Sequence, residues 1–272
     1  MSRGVSYTKH LDLTQTKEIY EQSVENWDFL YKASTTKDSR FDIGDRVCLP
    51  DGRVFRYSKS GALCKAGHGA AFMNTAAVLT HALAAGQAIG DKSIQIASQT
   101  FTLDQLRGGY ATIFAEDNDN QINVQHRGIV GNTAASGTTV TIYLDAPLVR
   151  AVTVSMNVLV THNPYSNMQT QVGQEFGYAS IGGVPAAYVD AANKYFWLQT
   201  WGACWCVATE HLGDAQGEAQ YVFTAEGALR VEATTNDGSH KQLTAQHAGF
   251  PIPCGAAGLG WNEQIIMLQI SP

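Results

Sequence analysis

The sequence predicts a mainly β fold: antiparallel β-barrel or sandwich domains, preceded by an N-terminal arm and one short helix. Three observations carry this. Downstream of Asp45 the apolar residues recur mostly with a period of two, the signature of half-buried strands. Turn-forming clusters punctuate those runs at short intervals, as in "AEDNDNQ" and "GNTAASG", which makes successive strands antiparallel neighbours. The composition agrees: of 272 residues only 15% are charged and 26 are Gly, well below the ~25% charge of an ordinary soluble domain.

Residues 1–16 are polar and read as an arm. From Lys17 to Ala33 the spacing becomes helical, with Ile19, Tyr20, Val24, Trp27, Leu30 and Tyr31 on one side. Glu18, Glu21 and Glu25 sit early, where a helix N-terminus favours acids, and Thr14 or Thr16 can cap it. "STTKDSRFDIGD" ends the helix. A lone helix must bury its apolar side on the molecule's own sheet or on another chain, and both readings stay open.

Strands are then expected at Ser93–Phe101, Tyr110–Phe114, Ile122–Val130, Thr138–Leu144 and Ala151–Val160. In the last, Val152, Val154, Met156, Val158 and Val160 alternate with polar residues and form a buried face. Gly67–Gly90, which includes "AAFMNTAAVLTHALAAG", fits a short helix by its Ala content or, equally, a loop and strand leading to Gly86; irregular structure with a helical turn is the preferred reading. "THNPYSNMQTQVGQEFGYASIGG" is polar and rich in breakers, and reads as a linker or long surface loop. Strands resume at Val184–Val189, Tyr195–Thr200, Ala203–Ala208, Gln220–Thr224, Ala228–Glu232 and Gln264–Ile270. The domain organisation expected is an arm and helix over 1–45, a β domain over 46–162, a linker over 163–183 and a second β domain over 184–272. "QHRGI" at Gln125–Ile129 echoes "QHAGF" at Gln246–Phe250, each with an aromatic strand upstream; a true repeat would make two related small barrels, but the upstream spacing differs greatly and the echo is read as coincidence in preference.

Charge and cysteine usage narrow the function. The net charge of −6 argues against nucleic acid as a partner, because phosphate binding needs a basic face. No apolar run approaches the ~20 residues of a membrane helix, and residues 1–30 show no basic stretch followed by an apolar core. A protein made in a cytoplasm, without membrane or nucleic-acid partners, is expected. Five cysteines, Cys48, Cys64, Cys204, Cys206 and Cys254, are an odd number that fits free buried thiols.

No catalytic or cofactor motif emerges. The eight histidines contain no H-E-x-x-H or H-x-H pair, and there is no G-x-S-x-G elbow or P-loop. "GAAGLG" at Gly255–Gly260 precedes a strand, whereas a dinucleotide loop follows one. "EDNDN" at Glu116–Asn120 has the alternating oxygens of a calcium loop but lacks its glycine and distal Glu. A non-enzymatic protein with no cofactor and no metal is expected.

"YFWLQTWGACWC", Tyr195–Cys206, puts large aromatics on both sides of one strand. That suits a strand buried on both faces or at a subunit interface. An exposed patch around Trp197, Trp201 and Trp205 would instead suit glycan or receptor binding.

In "LPDGRVFRY" the Pro50-Asp51-Gly52 corner predicts a three-residue hairpin loop with Gly52 left-handed. This register places Val47, Leu49, Phe55 and Tyr57 on one face and Arg46, Cys48, Val54 and Arg56 on the other. A two-residue loop would mix Arg46 with Phe55 and Tyr57, so the first register is preferred.

"LPDGRVFRYSKSGA", followed by "GGYATIF…RGIVGNTA…TIYLDAPL" and "YFWLQTWG", resembles β-rich virion structural proteins of tailed bacteriophages, most of all capsid decoration (cement) proteins. The resemblance runs from about Gly44 to Pro272. It implies a protein on the outside of the phage head, assembled in the host cytoplasm, commonly a homotrimer, that clamps neighbouring copies of the major capsid protein. In that setting Trp27, Tyr31, Arg46 and Arg56 are the expected capsid or subunit contacts. The alternative is a receptor- or glycan-binding module of a tail or head fibre.

Overall fold

The computed structural model describes residues 27–73, 80–97, 101–115, 124–170, 180–209, 220–224, 226–231, 246–252 and 263–272. The described strands are β1 (Arg46–Cys48), β2 (Val54–Lys59), β3 (Ala70–Phe72), β4 (Thr80–Ala82), β5 (Ser93–Ala97), β6 (Tyr110–Ala115), β7 (Gln125–Asn132) and β8 (Thr139–Leu144). They continue as β9 (Met156–Thr161), β10 (Met168–Gln169), β11 (Ile181–Pro185), β12 (Tyr195–Val207), β13 (Tyr221–Phe223), β14 (Leu229–Val231), β15 (His247–Pro251) and β16 (Glu263–Gln269). The fold is mainly β, and its named strand pairs are antiparallel.

The chain divides into two compact units. One is centred on Asn74–Pro164, and the other combines Thr8–Met73 with Tyr165–Pro272. The linear division expected at 46–162 and 184–272 therefore gives way to an insertion. The entry hairpin belongs with the C-terminal strands, because β2 pairs along β12 from Lys59↔Tyr195 to Val54↔Trp201.

The inserted unit holds six strands in the order β4-β9-β6-β7-β8-β5. The sheet curls until its ends meet: Leu83 bridges Ile96, and the Ala84 N–H donates to the Gln95 carbonyl at 2.8 Å. Closure satisfies edge groups that would otherwise invite another strand. One residue in two points inward, so Ile94, Ile96, Ala111, Ile113, Val140, Ile142, Val158 and Val160 form a continuous core with Phe101, Leu106 and Leu148. The expected strand Ala151–Val160 is corrected here. Val154 is 62% exposed, the chain turns through Thr153–Met156 with a 3.0 Å bond, and the strand begins only at Met156.

In the larger unit the order is β10-β3-β11-β12-β16-β15-β13-β14, with β2 joined to β12 and β1 to β2. The bridge Ala208↔Leu229 returns the end of β12 to β14, and Ser60↔Met168 links the end of β2 to β10. β12 is thus shared by two rings. Segments expected as separate strands, 195–200 and 203–208, are one 13-residue strand. The pairing shifts between Gln199 and Trp201: Gln199 lies opposite Phe55, but Trp201 lies opposite Val54. Adjacent strand residues face opposite ways, so the shift makes the odd-numbered residues of β12 change sides. Gly202 completes this bulge at φ +88°, and a Cβ there would come within 2.9 Å of the Arg53 backbone.

Other expectations change. The described end of the predicted helix, Trp27–Tyr31, is a single 3₁₀ turn; residues 17–26 lie outside the described residues. That turn packs on the chain's own sheet, with Leu30 buried among Val47, Leu49, Phe55, Tyr57 and Trp197. Within Gly67–Gly90 the described residues include β3 and β4 rather than a helical turn. The segment 163–183 is not simply a linker, because β10 and the start of β11 pair with β3. The echo of Gln125–Ile129 in Gln246–Phe250 is not matched in topology: β6 pairs with β7, whereas β12 pairs with β16 rather than β15. The calcium-like Glu116–Asn120 and Cys254 lie outside the described residues. Cys64, Cys204 and Cys206 are buried free thiols, and Cys48 is exposed.

The entry hairpin forms in the expected register. Arg46↔Arg56, Val47↔Phe55 and Cys48↔Val54 are paired. The Leu49 N–H bonds to Arg53 O at 2.8 Å and the Gly52 N–H to Leu49 O at 3.0 Å, with Gly52 at φ +87°. Val47, Leu49, Phe55 and Tyr57 are all buried.

Candidate interaction surfaces

The four residues expected at contacts are spread over the larger unit and are largely used internally. Trp27 packs on Phe29 with ring centroids 6.2 Å apart. Phe29 in turn stands edge-on to Trp197 at 5.6 Å. Tyr31 keeps an exposed ring edge-on to Phe55, and its hydroxyl accepts from Arg53 Nη1 at 2.8 Å. Arg46 Nη1 donates to the Pro272 carbonyl at 2.8 Å. Arg56 donates to Gly44 O at 3.2 Å and lies 5.8 Å over the Tyr165 ring. These bonds keep two guanidinium groups paired across β1 and β2 occupied with separate acceptors, which relieves a like-charge cross-strand pair. Arg40 adds a cation over Phe29 and Phe41. The carboxylate of Asp38 raises its pKa above the usual arginine value, and Arg40 in return lowers that of Asp38.

Two other surfaces stand out. The first is the exterior of the six-stranded sheet. The outward residues of its strands include Thr112, Thr141, Tyr110, Tyr143, His126 and Asn157, and none of the outward set is Asp, Glu, Lys or Arg. Arg127, the charged residue within these strands, pairs with buried Ala111 and donates to Pro147 O from the sheet's end. Charge approaches the face from loops, as where the Asp104 carboxylate lies beside Gly131. Charged residues make up about 25% of an ordinary soluble domain and lie mostly on its surface, so a sheet exterior of hydroxyls, amides and rings is unusual. Tyr110 stacks on His126 at 5.2 Å, and Thr112 Oγ1 is 2.9 Å from His126 Nδ1. This interaction orders the centre of the face.

The second surface lies on the larger unit, downstream of the β12 bulge. Cys204 and Cys206 now point into a core with Tyr221, Phe223, Leu229, Ala248, Ile266 and Leu268. Their sulfurs are 3.8 Å apart, and this contact together with burial raises the Cys206 thiol well above its ordinary pKa. The alternate residues face outward. Trp205 pairs with Ile265, Ala203 with Met267, and Met267 with Phe250, across three adjacent strands. Trp205, Phe250 and Ile265 are 44%, 41% and 39% exposed. One edge of the Trp205 ring covers Gly67, where an added Cβ would come within 2.2 Å. Gln269 and His247 close one end of the patch with a 3.2 Å contact.

Sequence reasoning singled out Trp205 but not Phe250, Ile265 or Met267. The signal was present in "EQIIMLQ", which is apolar on both faces of its strand. Of the three tryptophans considered for an exposed patch, Trp197 is only 2% exposed, while Trp205 is open to solvent. Among the described residues no cluster of three or more His, Cys, Asp or Glu side chains is arranged to hold a metal. No helix among them is long and apolar enough to cross a membrane.

The chain matches no known family model, no curated protein and no solved structure.

Proposed function

We propose that this chain is a non-enzymatic capsid decoration protein of a tailed phage, seated on the outside of the head and clamping copies of the major capsid protein. The observation that carries this reading is the uncharged, hydroxyl- and ring-lined exterior of the six-stranded sheet. Such a surface loses little charge hydration when another protein covers it, and its hydroxyls and amides supply hydrogen bonds to a lattice. Each contact can be weak, because many copies on one shell multiply it. The resemblance of "LPDGRVFRYSKSGA" and the later segments to decoration proteins supports the same reading. So does a framework of small closed β rings suited to holding a rigid face.

The test is binding of the purified chain to shells assembled without it, followed by imaging of the particles. Density for two β units on the outer surface is expected. Thr141→Glu/Tyr143→Glu, which places charge on the sheet exterior, should abolish shell binding while leaving the fold intact. Absence of density, or full binding by the charged variant, overturns the proposal.

A further inference from the structure

We infer that the closed ring of the inserted unit opens in acid at the seam between β4 and β5, driven by proton uptake at His81 and His162. The device belongs to the ring itself and does not depend on what the chain binds.

The seam is the shortest join in the ring. β5 pairs with β8 from Ser93↔Tyr143 to Ala97↔Thr139, and β6 pairs with β9 from Tyr110↔Thr161 to Ala115↔Met156. Among the described residues, β4 and β5 are joined by the single bridge Leu83↔Ile96 and by the Ala84 N–H bond to Gln95 O at 2.8 Å. Local opening begins where few backbone bonds have to break.

Three aromatic rings hold the two sides of this seam together. His81 lies on β4, two residues before Leu83 and opposite the core residue Val158. His162 follows β9, and Phe101 lies beyond β5 in the chain. Phe101 is 2% exposed, and it meets His81 edge-on at 5.5 Å and His162 edge-on at 6.1 Å. The cluster therefore ties the continuation of β5 to β4 and to the end of β9.

These imidazoles take up a proton in the closed ring only at a cost. Each Nε2 is buried without a hydrogen-bond partner, so an N–H added there has no acceptor. β4, β5 and β9 contain no Asp, Glu, Lys or Arg. The packed segment 101–109 brings Asp104 and Arg107, which pair with each other at 3.8 Å. Asp104 also accepts from the Asn132 N–H at 3.3 Å, so this carboxylate is already engaged. The second proton must in addition enter against the charge of the first. Burial lowers the pKa of both histidines, outweighing the Ala97 and Gln105 backbone groups that favour the charged rings.

Opening the seam wets both rings and removes these costs. The closed seam therefore keeps its full stability above about pH 6.5 and loses it progressively as pH falls below that value. Once open, β4 and β5 present unpaired N–H and C=O groups, an edge to which another strand can add.

The experiment is residue-resolved amide hydrogen exchange on the full chain at about pH 7.5 and 5.5, corrected for intrinsic exchange rates. From the higher pH to the lower, the Ala84 amide should lose protection several-fold more than the amides of the β6–β9 ladder. In His81→Gln/His162→Gln that selective loss should disappear. An Ala84 amide that keeps its protection in the wild type overturns the inference. So does one that loses protection in step with the β6–β9 ladder, which would mean that the whole unit loosens. A double variant that retains the selective acid response overturns it as well. If the double variant fails to fold, His81→Gln and His162→Gln are measured singly. A weakened response in either supports the inference, and an unchanged response in both overturns it.

Discussion

The two halves of β12 differ in how they are covered. From Tyr195 to Thr200 the strand is buried on both sides. Trp197 lies beneath Phe29 and Phe41, at 5.6 and 4.9 Å, and Phe196 and Leu198 pack with Cys64, Ala70, Met168 and Val189. From Trp201 to Val207 a single side is buried, and Ala203 and Trp205 face solvent. Similar aromatic chemistry runs through both halves. Periodicity alone therefore does not distinguish an aromatic that builds a core from one that is left for a partner. The difference comes from one register shift at Gln199/Trp201 and from where the segment around Trp27–Phe41 lies.

The contrast is broken most severely at Trp197. Trp197→Ala should cost about 3–5 kcal/mol, as truncation of a fully packed aromatic does. The monomer stability of Trp205→Ala should fall by only about 1 kcal/mol. Urea unfolding of both variants, followed by circular dichroism, checks this; equal losses would mean the two halves are equally buried.

Next comes the bulge itself. Gly202→Ala meets both a left-handed φ and the Arg53 backbone, and should cost about 1–3 kcal/mol. Its unfolding midpoint should therefore drop more than that of Ala203→Gly, one residue away on the exposed side.

A smaller effect sharpens the comparison on β2. Arg56 is half-buried beside Tyr165, with its Nε enclosed and without a hydrogen-bond partner, so Arg56→Ala should cost about 1 kcal/mol through lost packing. Arg46→Ala should stay within about 0.5 kcal/mol. If both replacements are silent in thermal unfolding, Arg56 is as free for a partner as the sequence suggested.

The smallest effect is protonic and belongs to the inserted unit. Burial lowers the pKa of His81 and of His162 below the ordinary 6.5. Both rings flank Phe101, at 5.5 and 6.1 Å, and each Nε2 is buried without a hydrogen-bond partner. The unfolded chain therefore binds these protons more readily. Their contribution to stability is intact above about pH 6.5 and is lost as pH falls through and below that value. His81→Gln/His162→Gln should flatten the slope of unfolding midpoint against pH between about 7.5 and 5.5; an unchanged slope would assign it to other groups.

Much of the fold was legible because its signals are local. Local pattern at Thr138–Leu144 and Tyr110–Phe114 placed the strands that form at Thr139–Leu144 and Tyr110–Ala115, and Pro50-Asp51-Gly52 specified the entry hairpin down to its register. The strand at Ala151–Val160 was misread because Val154 keeps the alternation while the backbone turns. Val152 bridges Gln87 instead, a partner far away in sequence. The candidate surfaces were less legible. A Trp on a strand reads the same whether Phe41 or solvent lies above it, and Ile265 and Ile266 are chemically equal until a sheet divides them.

The sequence by itself determined the class of fold, the antiparallel neighbours joined by short turns, the hairpin register and the low charge of the strands. Each depends on residues a few positions apart, where backbone geometry and side-chain periodicity act directly. Only the tertiary structure decided that the hairpin joins the C-terminal strands across an inserted unit, that the rings close, and which face of β12 and β16 stays bare. Those outcomes rest on pairings between residues such as Arg56 and Leu198 or Ala208 and Leu229. Such pairings depend on which surfaces bury best together, and no local pattern encodes that.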